Sequence, residues 1–565
     1  MRPSRGLHFI PLCLLAFFVI GYVAYPFGVA IGESLSVNGA FSFDNYLQLI
    51  STSSKGNWQA VANSIFVSLL TVVFSGVVGV FFAFVFTQYD FPLRRLLSRL
   101  AILPIALPPL VGVISFMFVF GEGGIIPRVL QIVLNTDQVP FSLEGMAAIV
   151  VVHVYSFYVY FYLFASSTLQ QLDASMLEAA ANLGSSTWTT LRRVVAPELR
   201  PAVIGASILS FMASMASFSA PFLLGGGRRF MTTQIYSTKL NGELSLAAAQ
   251  SILLTLFSIL FFIGLRLSER RTSGARGSKG AGKTRALETG KTLRYGSITL
   301  CLLLLLLEVL PIAAILMISF VREGTWTWQV LPTSFTTDNY LKLINDPHIF
   351  EPVKNSVTMS VGTLVLALVI GVTAAYLVTK GASGKLRILL DVFITLPYAI
   401  PGTVIAITLI LTLASPTIVS GYTVLVGTFW ILPIAYLIRT YPLIVRATAA
   451  SLEQFDDTLM EAGASFGAGI IRRFRKIALP LILPGIVSGS LLCLIATLGE
   501  FVSSILLYTY DSRPISVEIF SQLRSYNFGA AAGYCVVLLL LITALILLAN
   551  RLVRRFSLRA EGINF

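Results

Sequence analysis

The chain has 565 residues, of which 56% are hydrophobic and only 12% charged, with a formal net charge of +14. Together with a mean hydropathy of +0.83, this excludes a soluble enzyme with an ordinary polar surface and describes a polytopic membrane protein. The basic excess sits in short loops beside apolar runs, without interleaved aromatic platforms, so nucleic acid is not expected as a partner.

A helix needs about 20 apolar residues to cross a hydrocarbon core of about 30 Å, and it satisfies every backbone group on the way. Runs of that length, with no strands of alternating polarity, predict an all-α protein. In the first half they lie near residues 8–31, 61–87, 100–121, 143–166, 199–224 and 246–267. The first follows Arg2 and Arg5 and lacks a convincing small-residue cleavage site, so it reads as an uncleaved span. Pro104, Pro108 and Pro109 interrupt the third, where neighbours or water must replace lost backbone hydrogen bonds. The fourth carries His153 and, on one helical face, Tyr155, Tyr158 and Tyr162. Their oxygens would suit a hard cation, yet such a stripe in a membrane helix reads first as packing or an interfacial belt.

Between the fourth and fifth runs lies a polar loop: Ser175-Met176-Leu177-Glu178-Ala179-Ala180, then Gly184, then Arg192 and Arg193 ahead of Pro197. Ser175 and Glu178 have the spacing of a capping box, which satisfies the first free N–H groups of a helix. Gly184 stands where a left-handed residue would end that helix. The loop is therefore expected to be a short rigid helix turned tightly into the fifth span.

Residues 268–296 read as a solvated linker, since 266–296 carries nine basic and two acidic residues among Gly, Ser and Thr. Within it, Gly277-Ser278-Lys279-Gly280-Ala281-Gly282-Lys283-Thr284 meets the phosphate-loop pattern letter for letter. A working phosphate loop needs a buried strand before it and a helix after it. Neither is expected here, so the match is read as chance.

Six more runs follow, near 297–320, 355–379, 388–413, 419–440, 481–508 and 530–550, and Pro397 and Pro401 break the ninth as prolines break the third. The polar loop returns as Thr458-Leu459-Met460-Glu461-Ala462-Gly463, Gly467 and Pro480, every position displaced by 283 from its first copy. Asp44-Asn45-Tyr46 pairs with Asp338-Asn339-Tyr340, Asn63-Ser64 with Asn355-Ser356, and Leu103-Pro104 with Leu396-Pro397. The expected architecture is two tandem six-helix repeats, 1–267 and 297–565, entering the membrane in the same orientation. Placing both termini in the cytoplasm puts about three quarters of the 40 basic residues in cytoplasmic loops, as the positive-inside rule requires.

Away from the ends of the runs, that topology leaves two acids within spans, Glu308 and Glu500. Glu500 is either a charge or oxygen ligand on a solute path or a helix-packing group, and its repeat counterpart is Ser217. Glu308, in the peripheral first span of its half, reads as packing or snorkelling. The four cysteines fall in apolar runs and read as buried hydrophobes, and His8, His153 and His348 are scattered. No catalytic, cofactor or metal residue is assigned.

Glu461-Ala462-Gly463, three residues, Gly467, nine residues and Ile477-Ala478-Leu479-Pro480 resemble the signature loop of permease subunits in type I binding-protein-dependent ABC importers. The first copy departs from it at Val194-Val195-Ala196-Pro197. The resemblance covers nearly the whole chain and implies the type I permease fold in a fused, two-repeat form, in a bacterial inner membrane. It implies that Glu178, Ala179, Ala180, Gly184 and Pro197, with Glu461, Ala462, Gly463, Gly467 and Pro480, form two coupling loops for two copies of a cytoplasmic ATPase. ATP and magnesium would belong to those subunits, and an extracytoplasmic solute-binding protein would dock on 31–60 and 321–354.

Three further phrases resemble the iron(III) group of these permeases: Ser219 to Gly226, Met231 to Ile235, and Leu498-Gly499-Glu500-Phe501 with Arg513 to Val517. Permeases for thiamine, polyamines, phosphonates and inorganic oxyanions share parts of them. The rival of another class, an ion-gradient-driven secondary transporter, would carry ionisable relays in several spans, which this chain lacks beyond Glu500.

Overall fold

The structure is a computed structural model and describes residues 9–51, 55–272, 291–326, 329–381 and 384–561. The phosphate-loop match at 277–284 lies outside the described residues. Among the described residues the regular structure is helical apart from a bridge between Val321 and Phe335 and a hairpin, Ser36–Val37 with Ala40–Phe41. Asn38 and Gly39 turn the hairpin at positive φ, 51° and 81°, as a two-residue loop requires.

In the first half, α1 (Phe9–Val19) and α2 (Tyr25–Ser34) form one span across a π-helical turn. Then come α3 (Lys55–Gln88), α4 (Pro109–Phe120), α5 (Gly145–Gln170), the loop helix α6 (Ala174–Asn182), α7 (Ala196–Met215) and α8 (Leu244–Thr272). The second half repeats the series with α9 (Lys291–Ile318), α10 (Pro347–Tyr376), α11 (Gly384–Ala399), α12 (Gly402–Leu413), α13 (Ile431–Glu453), α14 (Thr458–Ser465), α15 (Leu479–Leu498) and α16 (Phe528–Glu561). Displaced by 283 positions, α7 begins and ends at the same positions as α15.

Among the described residues ten helices are long and apolar enough to cross a membrane, and α11 with α12, bent by 102°, makes an eleventh span. α13, whose apolar run is interrupted by Arg439 and Arg446, falls outside that count. It corrects the expected run at 419–440. Residues 414–430 form turns through Gly421, Tyr422 and Gly427 at positive φ, and the apolar side chains around those glycines hid the break in the sequence.

The third span breaks where its prolines predict and the ninth at Pro401, whereas Pro397, expected to break it as well, lies inside α11 without interrupting the helix. Pro104 lies in a 3-10 turn, and Pro108 and Pro401 stand extended (ψ 135° and 143°) immediately before α4 and α12. The cysteine expectation needs one correction: Cys301, Cys493 and Cys535 are buried but Cys13 is exposed, on an outward face of a span where an apolar side chain meets lipid at no cost.

Contacts divide the chain into two compact units, 48–237 with 253–335, and 1–47 with 238–252 and 336–565. In the first, α3, α5 and α7 pack together with α4 and α9 alongside. Phe82, Phe86, Tyr158, Leu169, Cys301 and Leu305 share its core. In the second, α10, α13 and α15 form the matching trio, with α16 on α15, α1 on α10 and α2 on α12. Gly485 and Gly489 set the approach of α15 to α13, since an added Cβ would lie 2.5 Å from the Ala447 carbonyl oxygen and 2.8 Å from Ile444 Cα, the small-residue packing of membrane helices. The first helix of each half thus belongs to the unit built on the other half's trio, and the sequence repeats 1–267 and 297–565 are not the compact units.

Candidate functional site

The repeated loop folds the same way twice. Asp173 Oδ1 accepts a hydrogen bond from the Ser175 amide at 2.9 Å and Asp456 Oδ1 from the Thr458 amide at 2.9 Å. This corrects the expected capping boxes: Ser175 and Thr458 lie inside the helices, and a carboxylate two residues earlier satisfies the first free amides in both copies. The bonds from Thr458 hold the Asp456 carboxyl below its usual range.

Gly184 and Gly467 end α6 and α14 at φ +72° and +75°, as expected. Ser185 N donates to the Ala180 carbonyl and Gly184 N to that of Ala181, and Ala468 and Gly467 repeat this onto Gly463 and Ala464. Both ends are Schellman motifs. A π-helical turn follows in each copy, Leu191–Val195 and Phe474–Ala478, before Pro197 and Pro480 open α7 and α15.

The outer faces of these helices are open. Glu178, Ala179, Glu461 and Ala462 are exposed. Met176 and Leu183, one face seven residues apart, are 41% and 87% exposed, and their counterparts Leu459 and Phe466 are 44% and 91% exposed. Apolar side chains this exposed on a polar loop mark a contact surface. The inner faces differ by a compensated exchange. A Cβ on Gly463 would meet Ile477 Cδ1 at 2.8 Å and Arg473 Cγ at 3.2 Å. Its counterpart Ala180 keeps a methyl because Val194 and Thr190 stand where Ile477 and Arg473 stand.

The other repeated phrases also have matching jobs, Asn63-Ser64 within α3 and Asn355-Ser356 within α10. Asn63 Nδ2 donates to the Arg229 carbonyl and Asn355 Nδ2 to those of Asp511 and Arg513, while Ser64 and Ser356 accept from the Met231 and Ile515 amides. Next in line, Thr232 Oγ1 donates to the Ser217 carbonyl and Ser516 Oγ to that of Glu500, each at 2.7 Å. Asn45 Nδ2 ties the first outer segment to the Ser34 and Ser36 carbonyls. Phe41 and Leu47, with their counterparts Phe335 and Leu341, are exposed there.

Ser217 and Glu500 therefore occupy equivalent frames and hold different partners. Ser217 Oγ meets His153 Nε2 at 2.8 Å, and the other ring nitrogen faces Ser214 at 3.0 Å. Glu500 is 8% exposed, and both its carboxylate oxygens are engaged: Oε2 by Arg439 Nη1 at 2.8 Å and Oε1 by the Ser503 amide at 2.8 Å. Arg439 went unread in the sequence, although an arginine amid Ile, Leu and Tyr is itself a signal.

The tyrosine stripe is packing. Tyr158 donates to Glu308 Oε2 at 2.7 Å and Tyr162 to the Ser98 carbonyl at 3.2 Å, and Tyr155 is buried against Phe116. Glu308, 4% exposed, is a buried hydrogen-bonding partner of α5 and does not snorkel.

A tandemly duplicated polytopic membrane protein, with broken spans and two matched loop helices, defines a class of membrane permease. The sequence profile described as "Binding-protein-dependent transport system inner membrane component" matches residues 75–274 and again 367–560. The chain belongs to that family: it is a multi-pass inner-membrane permease of a type I ABC importer, a transport subunit rather than an enzyme. It is similar to "Probable ABC transporter permease protein y4fN" of Sinorhizobium fredii, 27% identical over 98% of this chain and 97% of that one. It is 25% identical, over 95% of this chain and 77% of that one, to the ferric transport system permease protein FbpB of Actinobacillus pleuropneumoniae. The sulfate transport system permease protein CysT of Salmonella typhimurium is 26% identical over 49% of this chain and 98% of its own length, one repeat's worth.

Proposed function

We propose that this permease works by alternating access driven by two identical ATPase subunits, which carry ATP and magnesium and seat α6 and α14 in matching clefts. Both loop helices and both chain termini lie on the cytoplasmic side, where most of the basic residues fall. A solute-binding protein docks on the opposite face, on the segments carrying Phe41, Leu47, Phe335 and Leu341. The solute is iron(III), the reading favoured by the similarity to a ferric permease over nearly the whole chain.

One observation carries the coupling role: two short helices, capped, terminated and re-joined to the membrane alike 283 positions apart, each present an apolar pair that nothing among the described residues covers. A loop that only connected spans would gain nothing from Phe466 at 91% exposure. Glu461→Arg places the wrong charge beside that pair. Its expected effect is loss of ATP-coupled uptake, at least tenfold, with unchanged membrane insertion. Uptake at the wild-type rate would remove the docking role.

A further inference from the structure

Most of α13 is buried, but Arg439, Leu443, Arg446 and Ala450, at helical spacings of four, three and four, are partly or fully exposed. The same four positions are open on α5 of the first repeat, where they are Ser156, Tyr160, Leu163 and Ser167. One repeat thus exposes a neutral stripe and the other a stripe with two arginines. An arginine facing lipid within a membrane is costly, so this stripe faces water or protein.

The two arginines differ in what they have left to offer. Arg446 is spent on Asp391, at 2.9 Å, and on Thr395 Oγ1. Arg439 gives Nη1 to Glu500, and among the described residues its Nε and Nη2 donors have no partner. Its side chain is 33% exposed against 9% for Glu500. The carboxylate is enclosed and fully bonded, while the guanidinium retains open donors, and a planar set of N–H groups of that kind binds carboxylate, phosphate or sulfate oxygens.

We infer that Arg439 is the solute-contacting group of the second repeat and selects an anionic solute, with Glu500 as its positioning residue. This rests on the permease reading and narrows its solute: iron(III) crosses as an anionic complex, and an inorganic oxyanion is the other source of the same chemistry. Tyr436 and Ser504, hydrogen-bonded at 2.7 Å beneath the pair, and Ser503 Oγ on the Gly402 carbonyl fix the frame in which Glu500 holds the guanidinium.

The test uses the full chain with its ATPase and binding protein in vesicles, with iron citrate, sulfate and thiamine as separate radiolabelled probes. The wild-type assembly should take up one of the two anionic probes. The neutral double variant Arg439→Gln with Glu500→Gln removes both charges without stranding either, and its maximal uptake rate should fall at least tenfold at unchanged insertion. Glu500→Gln alone, which leaves the cation, should transport faster than the double variant, and Arg439→Lys in the Glu500→Gln background should recover part of the loss. Wild-type uptake of neither anion overturns the inference, as does a double variant that keeps more than a tenth of the wild-type rate, or a single Glu500→Gln no faster than the double. Sulfate uptake without iron uptake would retire the iron assignment and leave Arg439 in its role. Iron uptake that survived the double variant would do the reverse.

Discussion

At the residue scale, Gly463 shows how a repeat diverges without changing its fold. The second copy has a larger neighbour, Ile477 in place of Val194, and has given up the methyl that Ala180 keeps. Gly463→Ala should therefore crowd Ile477 Cδ1 and cost about 1 kcal/mol, the lower end of core overpacking because the crowded atom terminates a flexible side chain. Adding Ile477→Val should recover the loss, measured as ATP hydrolysis stimulated by the binding protein; a double variant no better than the single would refute the pairing. Gly184 and Gly467 were legible in the sequence, because a glycine just past the end of a short polar helix is its usual left-handed closure. The pairing of Arg439 was not, because its partner Glu500 lies 61 residues away and no local spacing connects them.

At the element scale, the decisive features are the two ends of α6 and α14. Asp173→Ala should remove the bond to the Ser175 amide and cost about 1 kcal/mol, seen as roughly fivefold faster hydrogen exchange in the first turn of α6. Unchanged exchange would show that the cap does not hold the helix. Asp456 adds a pH dependence of known sign. Its carboxyl is depressed in the folded state by the bonds from Thr458, so its contribution is complete above the ordinary aspartate range and disappears as pH falls through the depressed value. Protection of the Thr458 amide should stay constant from neutral pH down to that range and drop only below it. The existence, register and C-terminal closure of these helices could be read from Glu, Gly and Pro spacing. Their N-terminal caps could not, since Ser175 and Thr458 fit a capping box as well as the aspartates fit the observed bond, and only backbone geometry separates the two. The misplaced tenth span has the same origin: hydropathy sees Leu425 and Val426, not the positive φ of Gly421 and Gly427.

At the scale of the whole molecule, the order of ten or eleven of the twelve expected spans followed from hydropathy, but the assignment of helices to compact units did not. A lipid-facing helix and one that covers another half's core have the same apolar composition. The contacts that decide the matter are single and distant: Glu308 of α9 on Tyr158 in one unit, and in the other Phe18 edge-on to Tyr441 with Tyr22 bonded to the Val419 carbonyl. Each half produced alone would lack the helix that covers its own trio and would leave such groups unpaired at a cost of about 1–3 kcal/mol for each buried polar partner. A chain divided between residues 272 and 291 interrupts none of these contacts. Fragments 1–272 and 291–565 should each accumulate to less than a tenth of their co-expressed level, while together they should assemble and restore uptake. If each fragment alone were as abundant and as protease-resistant as the pair, the exchanged first helices would contribute nothing to stability, and the two repeats would be self-sufficient folds joined only by the linker.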